Sequence, residues 1–530
     1  MKKQITITLI LLIATAFITV VYFKNLNPPG TRTNRIMNVI PDDAVLIFEF
    51  NNDQGFYDIF TNNKLLIALT GKQEVGELDT LRRALLLNPT LQRFFTGQNM
   101  YVSVHPSKIN TTDLLLTISA ADGFEPAAIN DLDKQPNNGL LVTPLRTSNG
   151  GRGFNIFIAA LKKRFYVISN AEHTYSGSFS KELVDQSAVY KNKKGKTSFV
   201  LLPEQQNANS LANLYVNYSQ LTPLFNQLFE NRNTDIFKNF RLLAGLATLS
   251  LNYKTDALMF NGSTTLQLNG PVSYLNLFAT QQPVVNHLKD IFPSTTAYSA
   301  DFSVSNQRKF GADLAKWYVT AGFKKEKEDL FNKVASETGI NLQNDFNNLL
   351  GNEFAIVTTR YFEKFAIISV TDGSRLKLLM TNISKMTDEN KGQIIYDKIP
   401  FFLLGDSFGI FKHPYFLIMD NYLILANSSN ELASYYDSYI NRKFLSKNDQ
   451  YNQFDNLLAV RSNVAFFLNF KNAEPIFKRD LKPDIYNVFT TNIPGWSDFY
   501  AASWQFTAAD KNFYTNFCMR LNTDTTVARN

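Results

Sequence analysis

The alternation of apolar and polar residues predicts a chain built mainly from β-strands joined in hairpins. The segment "YFLIMDNYLILA" (415–426) has an apolar run, Asp420-Asn421 as a two-residue turn, and a second apolar run. Helical spacing appears between such runs, as in "ELDTLRRALLL" (77–87), where leucines recur on one face. Successive strands with intermittent helices are typical of an α+β fold with mainly antiparallel sheets.

Short sequence signals predict where several helices begin and end. Ser428 and Glu431 have the spacing of a capping box at a helix start. Gly339 follows the helical pattern "KEDLFNKVASET" and predicts its end. Gly97 and Gly351 each follow a short helical pattern and precede an apolar run. We therefore predict a left-handed cap at both glycines, which would turn a helix into a strand.

The order of these patterns occurs twice along the chain. "IPDDAVLIFEF" (40–50) and "IFPSTTAYSADF" (291–302) each pass from a proline turn into a strand that ends in an acid and phenylalanine. We infer a tandem duplication with repeats at 39–269 and 290–522, joined by a linker at 270–289. Further segments match in the same order: 114–123 with 365–373, 165–173 with 422–430, 210–225 with 462–477, and 249–266 with 504–521.

The amino-terminal segment has the pattern of a membrane element. No charged residue lies between Ile5 and Phe23, and Lys2 and Lys3 precede this apolar run. At about 1.5 Å per residue the run just crosses a bilayer core. Ala14-Thr15-Ala16 also offers a signal-peptidase site, so a cleaved signal is the alternative to a transmembrane anchor. Both interpretations export the rest of the chain.

A spacer at 24–38, with Pro28-Pro29-Gly30, follows the predicted anchor, and a polar tail at 523–530 closes the chain. We expect a single-pass protein of the inner (cytoplasmic) membrane whose bulk lies in the periplasm. The partners expected from this arrangement are the membrane itself, through the amino-terminal helix, and a protein or a lipid.

Composition and charge narrow the class of partner. The chain has 530 residues, 45% of them hydrophobic, with 45 phenylalanines and 23 tyrosines, which fits strands packed on a large core. The net charge is +7, from 53 basic and 46 acidic residues. Basic clusters occur at 162–164, 191–196 and 324–325. They are too short for a nucleic-acid-binding face, so we expect no nucleic-acid partner.

The residue types needed for common active sites are sparse. The four histidines, His105, His173, His287 and His413, lack zinc-site spacing and are interpreted as turn or surface residues. The single cysteine, Cys518, lies in an apolar run and predicts a buried, unreactive thiol. A Gly-x-Ser-x-Gly motif is absent, although a dispersed catalytic triad would leave no such signal.

Two glycine motifs are interpreted structurally. Asp122-Gly123 and Asp372-Gly373 stand where a strand ends and a helix is predicted, so the aspartates are expected to cap helices. "NGGRGFN" (149–155) lacks the lysine and the helix of a phosphate-binding loop and predicts a hairpin tip. We therefore predict no catalytic residue, no metal site and no cofactor, and the ligand-binding residues remain unknown.

Three short motifs resemble a family of exported, membrane-anchored bacterial proteins known as a domain of unknown function. They are a strand entry at Ile40-Pro41-Asp42-Asp43-Ala44, a second at Phe292-Pro293-Ser294-Thr295-Thr296, and Leu350-Gly351-Asn352-Glu353 before an apolar strand. The first half departs from the last motif with Thr96-Gly97-Gln98-Asn99. The resemblance implies a duplicated α+β body behind an anchor, and it transfers no activity or catalytic residue.

Three functions are compatible with the sequence. The first is a non-enzymatic, membrane-tethered envelope protein that binds or scaffolds a partner, which predicts a broad exposed apolar patch. The second is a carrier or sensor of a lipid or another apolar ligand, which predicts a large pocket lined by aromatic residues. The third is a hydrolase with a dispersed site, which predicts converging ionisable side chains with shifted pKa values.

Overall fold

A computed structural model of the protein describes residues 36–107, 112–134, 139–147, 152–170, 173–190, 210–230, 238–267, 273–491 and 495–522. The predicted anchor at 5–23, most of the spacer, the basic cluster at 191–196 and the tail lie outside these residues. Within the described ranges, no helix has both the length and the apolar composition needed to cross a membrane.

The described residues form one antiparallel sheet of 20 strands and a separate two-stranded sheet. Hydrogen-bonded neighbours in the large sheet follow the order β4-β5-β6-β7-β3-β2-β1-β8-β9-β10-β22-β21-β20-β12-β13-β14-β18-β17-β16-β15, and β11 pairs with β19. The strands, β1 to β22 in chain order, are Leu46–Asn51, Asn99–Pro106, Thr112–Ser119, Leu140–Arg146, Arg152–Ile158, Lys163–Ser169, Thr174–Ser178, Ala212–Asn217, Gly245–Tyr253, Ala257–Leu266, Val284–Val285, Thr296–Ser303, Leu350–Thr359, Lys364–Val370, Ser384–Asp388, Lys391–Ile394, Tyr415–Met419, Tyr422–Ala426, Arg461–Ser462, Val464–Asn469, Phe499–Ala509 and Asn512–Leu521.

Helices lie between these strands and cover both faces of the sheet. A π-helical turn at Arg82–Leu86 continues α3, and 3-10 helices include Pro126–Asp131, Tyr274–Thr280 and Asp406–Ile410. The α-helices, α1 to α16 in chain order, are Gln54–Asn62, Lys64–Thr70, Lys72–Leu81, Gln92–Phe95, Lys181–Tyr190, Leu221–Leu228, Lys238–Arg241, Gln307–Thr320, Lys324–Thr338, Leu342–Asn347, Gly373–Ile383, Ile399–Leu404, Ser429–Ile440, Asp449–Asp455, Phe470–Asp480 and Pro483–Thr491. The α+β class with mainly antiparallel strands, predicted from the sequence, is confirmed.

The two faces of the sheet carry different cores, because successive side chains of a strand point to opposite faces. The first face, marked by Phe48 and Phe50 of β1, joins a large core that includes α1–α3 and α12. The second face, marked by Ile47 and Glu49, packs on residues 36–44 and α5 in one half of the sheet and on α13 and α14 in the other.

Segments expected to connect domains are instead buried in the core. Tyr274 and Phe278, in the predicted linker at 270–289, are at most 3% exposed. Ile36 and Met37, at the end of the predicted spacer, are at most 2% exposed. These four apolar side chains contribute to core packing.

Most of the local signals give the structure that the sequence predicts. Asp420 (φ 50°) begins the turn between β17 and β18. Ser428 and Glu431 form the capping box of α13. Gly339 and Gly97 are both left-handed, with φ of 73°.

Gly351 is not a left-handed helix cap, so this prediction is wrong. Gly351 lies inside β13, next to an irregularity in its register with β14. A Cβ atom there would lie 2.4 Å from the Ser369 hydroxyl oxygen and 2.9 Å from the Ser369 backbone. The glycine is required by the close approach of the neighbouring strand, not by its own dihedral angles.

We expect Gly351→Ala to lower the free energy of unfolding by about 1–3 kcal/mol, because the added methyl group must displace β14. Gly76→Ala is the matched control: no atom lies within 4 Å of its added Cβ. In the interior of α3, alanine should stabilise the chain by about 0.5–1 kcal/mol. Thermal denaturation of the full chain distinguishes the two variants, and equal midpoints would contradict the steric argument.

Candidate functional site

A cavity of about 490 Å³ lies between the first face of the sheet and the α1–α3 helices. Its size is within the range of small-molecule sites. Alternate residues of the strands form its floor, since these side chains share one face. The strand residues that line the cavity are Leu46, Phe48, Phe50, Met100, Val102, Val104, Leu114, Leu116, Ile118, Ile156, Phe165, Val167, Tyr175, Ser176, Gly177, Leu214, Leu258, Phe260, Trp504 and Phe517.

The roof is supplied by the helices and is also mainly apolar. Leu78, Leu81 and Leu85 of "ELDTLRRALLL" (77–87), whose spacing predicted one apolar face, line this cavity. Polar lining residues are few and include Tyr57, Thr70, Asp79 and Arg82. The roof consists of Phe56, Tyr57, Phe60, Leu66, Leu69, Thr70, Val75, Leu78, Asp79, Leu81, Arg82, Leu85 and Leu86.

Side chains on the cavity floor are packed less completely than those on the opposite face of the same strands. Leu114 is 37% exposed although it points to the helix-covered side, and Phe48 and Val102 are only half-buried. Tyr101 and Leu115, on the second face, are fully buried. Apolar side chains that line an unfilled volume forgo the contacts that close packing provides.

The corresponding place in the other half of the sheet is filled by the chain itself. Phe302 faces Phe354 across β12 and β13, just as Phe50 faces Met100 across β1 and β2. The ring of Phe408 lies 5.6 Å from Phe354 and 6.4 Å from Phe302. Phe408 is fully buried and occupies the volume above these strands.

One connection differs in length between the two halves of the sheet, and this difference accounts for the open volume. Residues 395–414 join β16 to β17 and include α12, whose six residues are all buried, followed by Phe408. The connection at the same place in the strand order, between β5 and β6, is only residues 159–162. The short connection between β5 and β6 therefore has no counterpart of the segment that fills the second half.

A polar cluster adjoins the apolar cavity where α1 meets α3. The Arg82 guanidinium carbon lies 3.7 Å from the centre of the Tyr57 ring, and Nη2 donates to Gln54 Oε1 at 2.9 Å. Nη1 lies 3.6 Å from Asp79 Oδ1, and Arg83 binds the other oxygen of that carboxylate at 2.6 Å. Burial raises the pKa of Tyr57 to about 12, and Arg82 opposes this shift.

A buried carboxylate, Glu49, lies on the second face at β1. Its two oxygens accept hydrogen bonds from the hydroxyl groups of Tyr101 and Tyr215 and from the amides of Asn99 and Asn213. These donors satisfy a group that would otherwise be costly to bury. The cluster ties β1 to β2 and β8 and has a structural role.

Asp301 occupies the same place on β12 and has far fewer donors. Ser299 Oγ lies 3.4 Å from Oδ2, and Oδ1 has no hydrogen-bond partner. Burial raises the pKa of Asp301 to about 8. A cavity of about 20 Å³ beside it, enough for about one water, is also lined by Lys289 and Asp455, which form an ion pair at 2.6 Å. Glu49 and Asp301 are the acids that precede phenylalanine in the two matching segments 40–50 and 291–302, so the sequence pattern already related them to each other.

Ser103, His105 and Asp43 have the connectivity of a catalytic triad, which the sequence analysis missed. His105 Nε2 lies 2.9 Å from Ser103 Oγ, and Nδ1 lies 2.8 Å from Asp43 Oδ1. Ser103 is fully buried, and its hydroxyl donates to the Leu115 carbonyl oxygen at 3.3 Å. A nucleophile must be accessible to its substrate, and the buried Ser103 is not. The three residues therefore have a structural role, in which His105 holds Asp43 against the sheet. The Ser-x-His spacing was a signal for two members, and only the fold brings Asp43 to them.

His105 is therefore a buried residue of β2, at 1% exposure, and its interpretation as a turn or surface histidine is wrong. The other three histidines are exposed. Burial of Cys518 is confirmed, and it raises the pKa of the thiol to about 12.

The two Asp-Gly motifs differ in structure. Asp372 caps α11, as expected, by accepting from the Arg375 backbone N–H at 3.0 Å. Asp122 is followed instead by a 3-10 helix at Pro126–Asp131. Strands β4 and β5 pair as a hairpin, and the last four residues of "NGGRGFN" begin β5, while residues 148–151 at the tip lie outside the described part of the chain.

No family model and no curated protein matches this chain. Among solved structures, crystal form III of TP0453 is similar at 12% identity, over 47% of this chain and 88% of that chain, with a TM-score of 0.23. Crystal form I of TP0453 is similar at 14% identity, over 47% of this chain and 87% of that chain, with the same TM-score. Likenesses at this level carry no argument about the fold or the function of this chain.

Proposed function

We propose that this protein binds the hydrocarbon chain of a lipid in the cavity between the first face of β1–β3 and the α1–α3 helices. The observation that carries the proposal is an apolar volume of about 490 Å³ that the other half of the sheet fills with its own phenylalanines. An apolar ligand in this place would recover the packing contacts that Phe48, Val102 and Leu116 lack.

The volume indicates the size of the ligand. A cavity of about 490 Å³ lies within the size range of sites that hold one small-molecule ligand. One long acyl chain is a ligand of this kind, and its hydrocarbon matches the apolar lining.

The cellular setting in this proposal rests on the amino-terminal sequence. The uncharged run from Ile5 to Phe23, after Lys2 and Lys3, supports an anchor in the inner membrane with the cavity on the exported side. In that setting the site would face lipids that leave or enter the bilayer. The scaffolding and hydrolytic functions, and the family resemblance, stay predictions.

We also propose that the chain arose by tandem duplication of a unit like 39–269 and 290–522. The strand order outward from β10 is β9, β8, β1, β2, β3, β7, β6, β5 and β4, and the order outward from β22 has the matching strand at every place. In this strand order β7 corresponds to β18, since β7 pairs with β3 and β18 pairs with β14. The sequence match had instead paired 165–173, most of which is β6, with 422–430. In this account one copy kept an open cavity and the other gained the segment that fills it.

Photolabelling in isolated membranes tests the ligand proposal on the full chain. The probe is a palmitic acid analogue with a diazirine and a terminal alkyne. We expect Val102→Trp, which places an indole in the cavity, to reduce labelling at least fivefold. Leu378→Trp is the matched control, since Leu378 is 71% exposed on α11, and it should label like the wild type. Equal labelling of the wild type and Val102→Trp would overturn the proposal.

A further inference from the structure

We propose that the ligand of this cavity is a single-chain lipid with a carboxylate head, and that Arg82 binds the carboxylate; this inference rests on the proposed function. Arg82 is 9% exposed and lines a cavity that is otherwise mostly apolar. A buried cation beside an apolar site costs free energy unless it has anionic or hydrogen-bonding partners. In this structure the partners of Arg82 do not satisfy all of its N–H donors.

The unused hydrogen-bonding capacity of Arg82 points to an anionic group. A guanidinium group has five N–H donors in one plane, which match the two oxygens of a carboxylate. Gln54 accepts from Nη2 and Asp79 lies 3.6 Å from Nη1, while the buried Nε has no hydrogen-bond partner. A carboxylate bound to the guanidinium from the cavity would supply the acceptor that this buried group lacks.

The carboxylate beside Arg82 is shared with a second cation. Asp79 is the carboxylate paired with Arg82, and its other oxygen is engaged by Arg83 at 2.6 Å. Asp79 is therefore closer to the exposed Arg83 than to Arg82, so it does not saturate the Arg82 guanidinium. Asp53, whose charge also acts on Tyr57, is turned to the backbone N–H of Phe56 as the cap of α1.

The backbone holds the guanidinium where α1 and α3 meet. Arg82 begins the π-helical turn Arg82–Leu86, and such turns inside α-helices frequently occur at functional sites. The face of the Tyr57 ring, 3.7 Å from the guanidinium carbon, fixes the plane of the fork. The head group would lie against this fork, and the acyl chain would extend over the floor of β1–β3.

Three photoreactive lipids with the same diazirine-bearing chain test this inference on the full chain in isolated membranes. They are the free fatty acid, its uncharged N-methylamide, and a phosphatidic acid. We expect the wild type to be labelled roughly tenfold more by the acid than by the amide, because a charge-assisted bidentate pair is lost in the amide. Arg82→Gln should bring the acid-to-amide ratio close to one.

Arg83→Gln is the matched control. It removes the same charge from the neighbouring residue, whose side chain is 73% exposed. Its acid-to-amide ratio should stay within twofold of the wild type. Continued labelling by the amide would show that the Arg82→Gln variant is folded and keeps its cavity. Arg82→Lys, which keeps the charge but not the planar fork, should give an intermediate acid-to-amide ratio.

The outcomes separate this inference from the proposed function. A wild-type ratio retained in Arg82→Gln, or stronger labelling by phosphatidic acid than by the fatty acid, would overturn the carboxylate assignment while the cavity still binds lipid. Labelling of Val102→Trp as strong as that of the wild type, with all three probes, would overturn the proposed function itself.

Discussion

Replacement of Asp301 by asparagine should stabilise the protein more as the pH rises, by about 5 kcal/mol at pH 8. The pKa of the folded-state carboxyl is about 8, against about 3.9 in an unfolded chain, and each unit of difference is about 1.4 kcal/mol. The protonated form is favoured in the folded state. The protonated Asp301 carboxyl therefore makes its full contribution to the free energy of unfolding below about pH 4, and this contribution is lost as the pH rises through about 8.

The surroundings of Asp301 explain the direction of this effect. Burial is the largest cause of the raised pKa, and the negative charge of Glu353 adds to it. The Ser299 hydroxyl and the charge of Lys289 oppose the shift, but Lys289 is held by Asp455. Asparagine has nearly the shape of the protonated acid and carries no charge at any pH.

Denaturation midpoints of the full chain between pH 5 and pH 8.5 test this prediction. The difference between the wild type and Asp301→Asn should be small at pH 5 and grow with pH. Asp122→Asn, at an exposed turn, is the matched control and should follow the wild type throughout. Parallel curves for the wild type and Asp301→Asn would contradict the buried, neutral carboxyl.

Truncation of Phe408 to alanine should lower the free energy of unfolding by about 3–5 kcal/mol. The ring is fully buried and packs on Phe302 and Phe354, where it fills the second half of the sheet. Removing it opens in that half a volume like the one that the first half already has. The loss combines the transfer of a phenyl group to water with the cavity left behind.

Leu378→Ala is the control for Phe408→Ala, because its side chain is 71% exposed and its truncation should change stability by less than about 0.5 kcal/mol. Chemical denaturation of both variants as full chains gives the comparison. A loss below about 1 kcal/mol for Phe408→Ala would mean that the region above β12 and β13 is loosely packed, contrary to the explanation given for the open cavity.

The sequence predicts those parts of the fold that depend on neighbouring residues. The turn at Asp420, the capping box at Ser428 and the left-handed Gly339 each rest on contacts within a few positions, so the local pattern was sufficient. Gly351 was misinterpreted because its constraint comes from Ser369 on the adjacent strand. Local spacing carries no information about that approach.

The candidate site depended on packing between distant segments and could not be predicted. The floor residues of β1–β3 have the same alternation as core strands elsewhere, and the leucines at 77–87 have an ordinary amphipathic pattern. The cavity arises because the connection between β5 and β6 is short, where the corresponding connection at 395–414 carries Phe408. A pocket lined by aromatic residues was predicted from the sequence only as part of the lipid-carrier alternative, without a location.

The position of the photolabel along the chain tests the central claim most directly. After irradiation of the full chain in membranes with the palmitic acid probe, digestion and mass spectrometry identify the modified residues. We predict that they are residues of the cavity floor and roof, chiefly in β1–β3 and α1–α3. Modification confined to exposed residues such as Leu378, or to the 5–23 segment, would contradict lipid binding in the cavity.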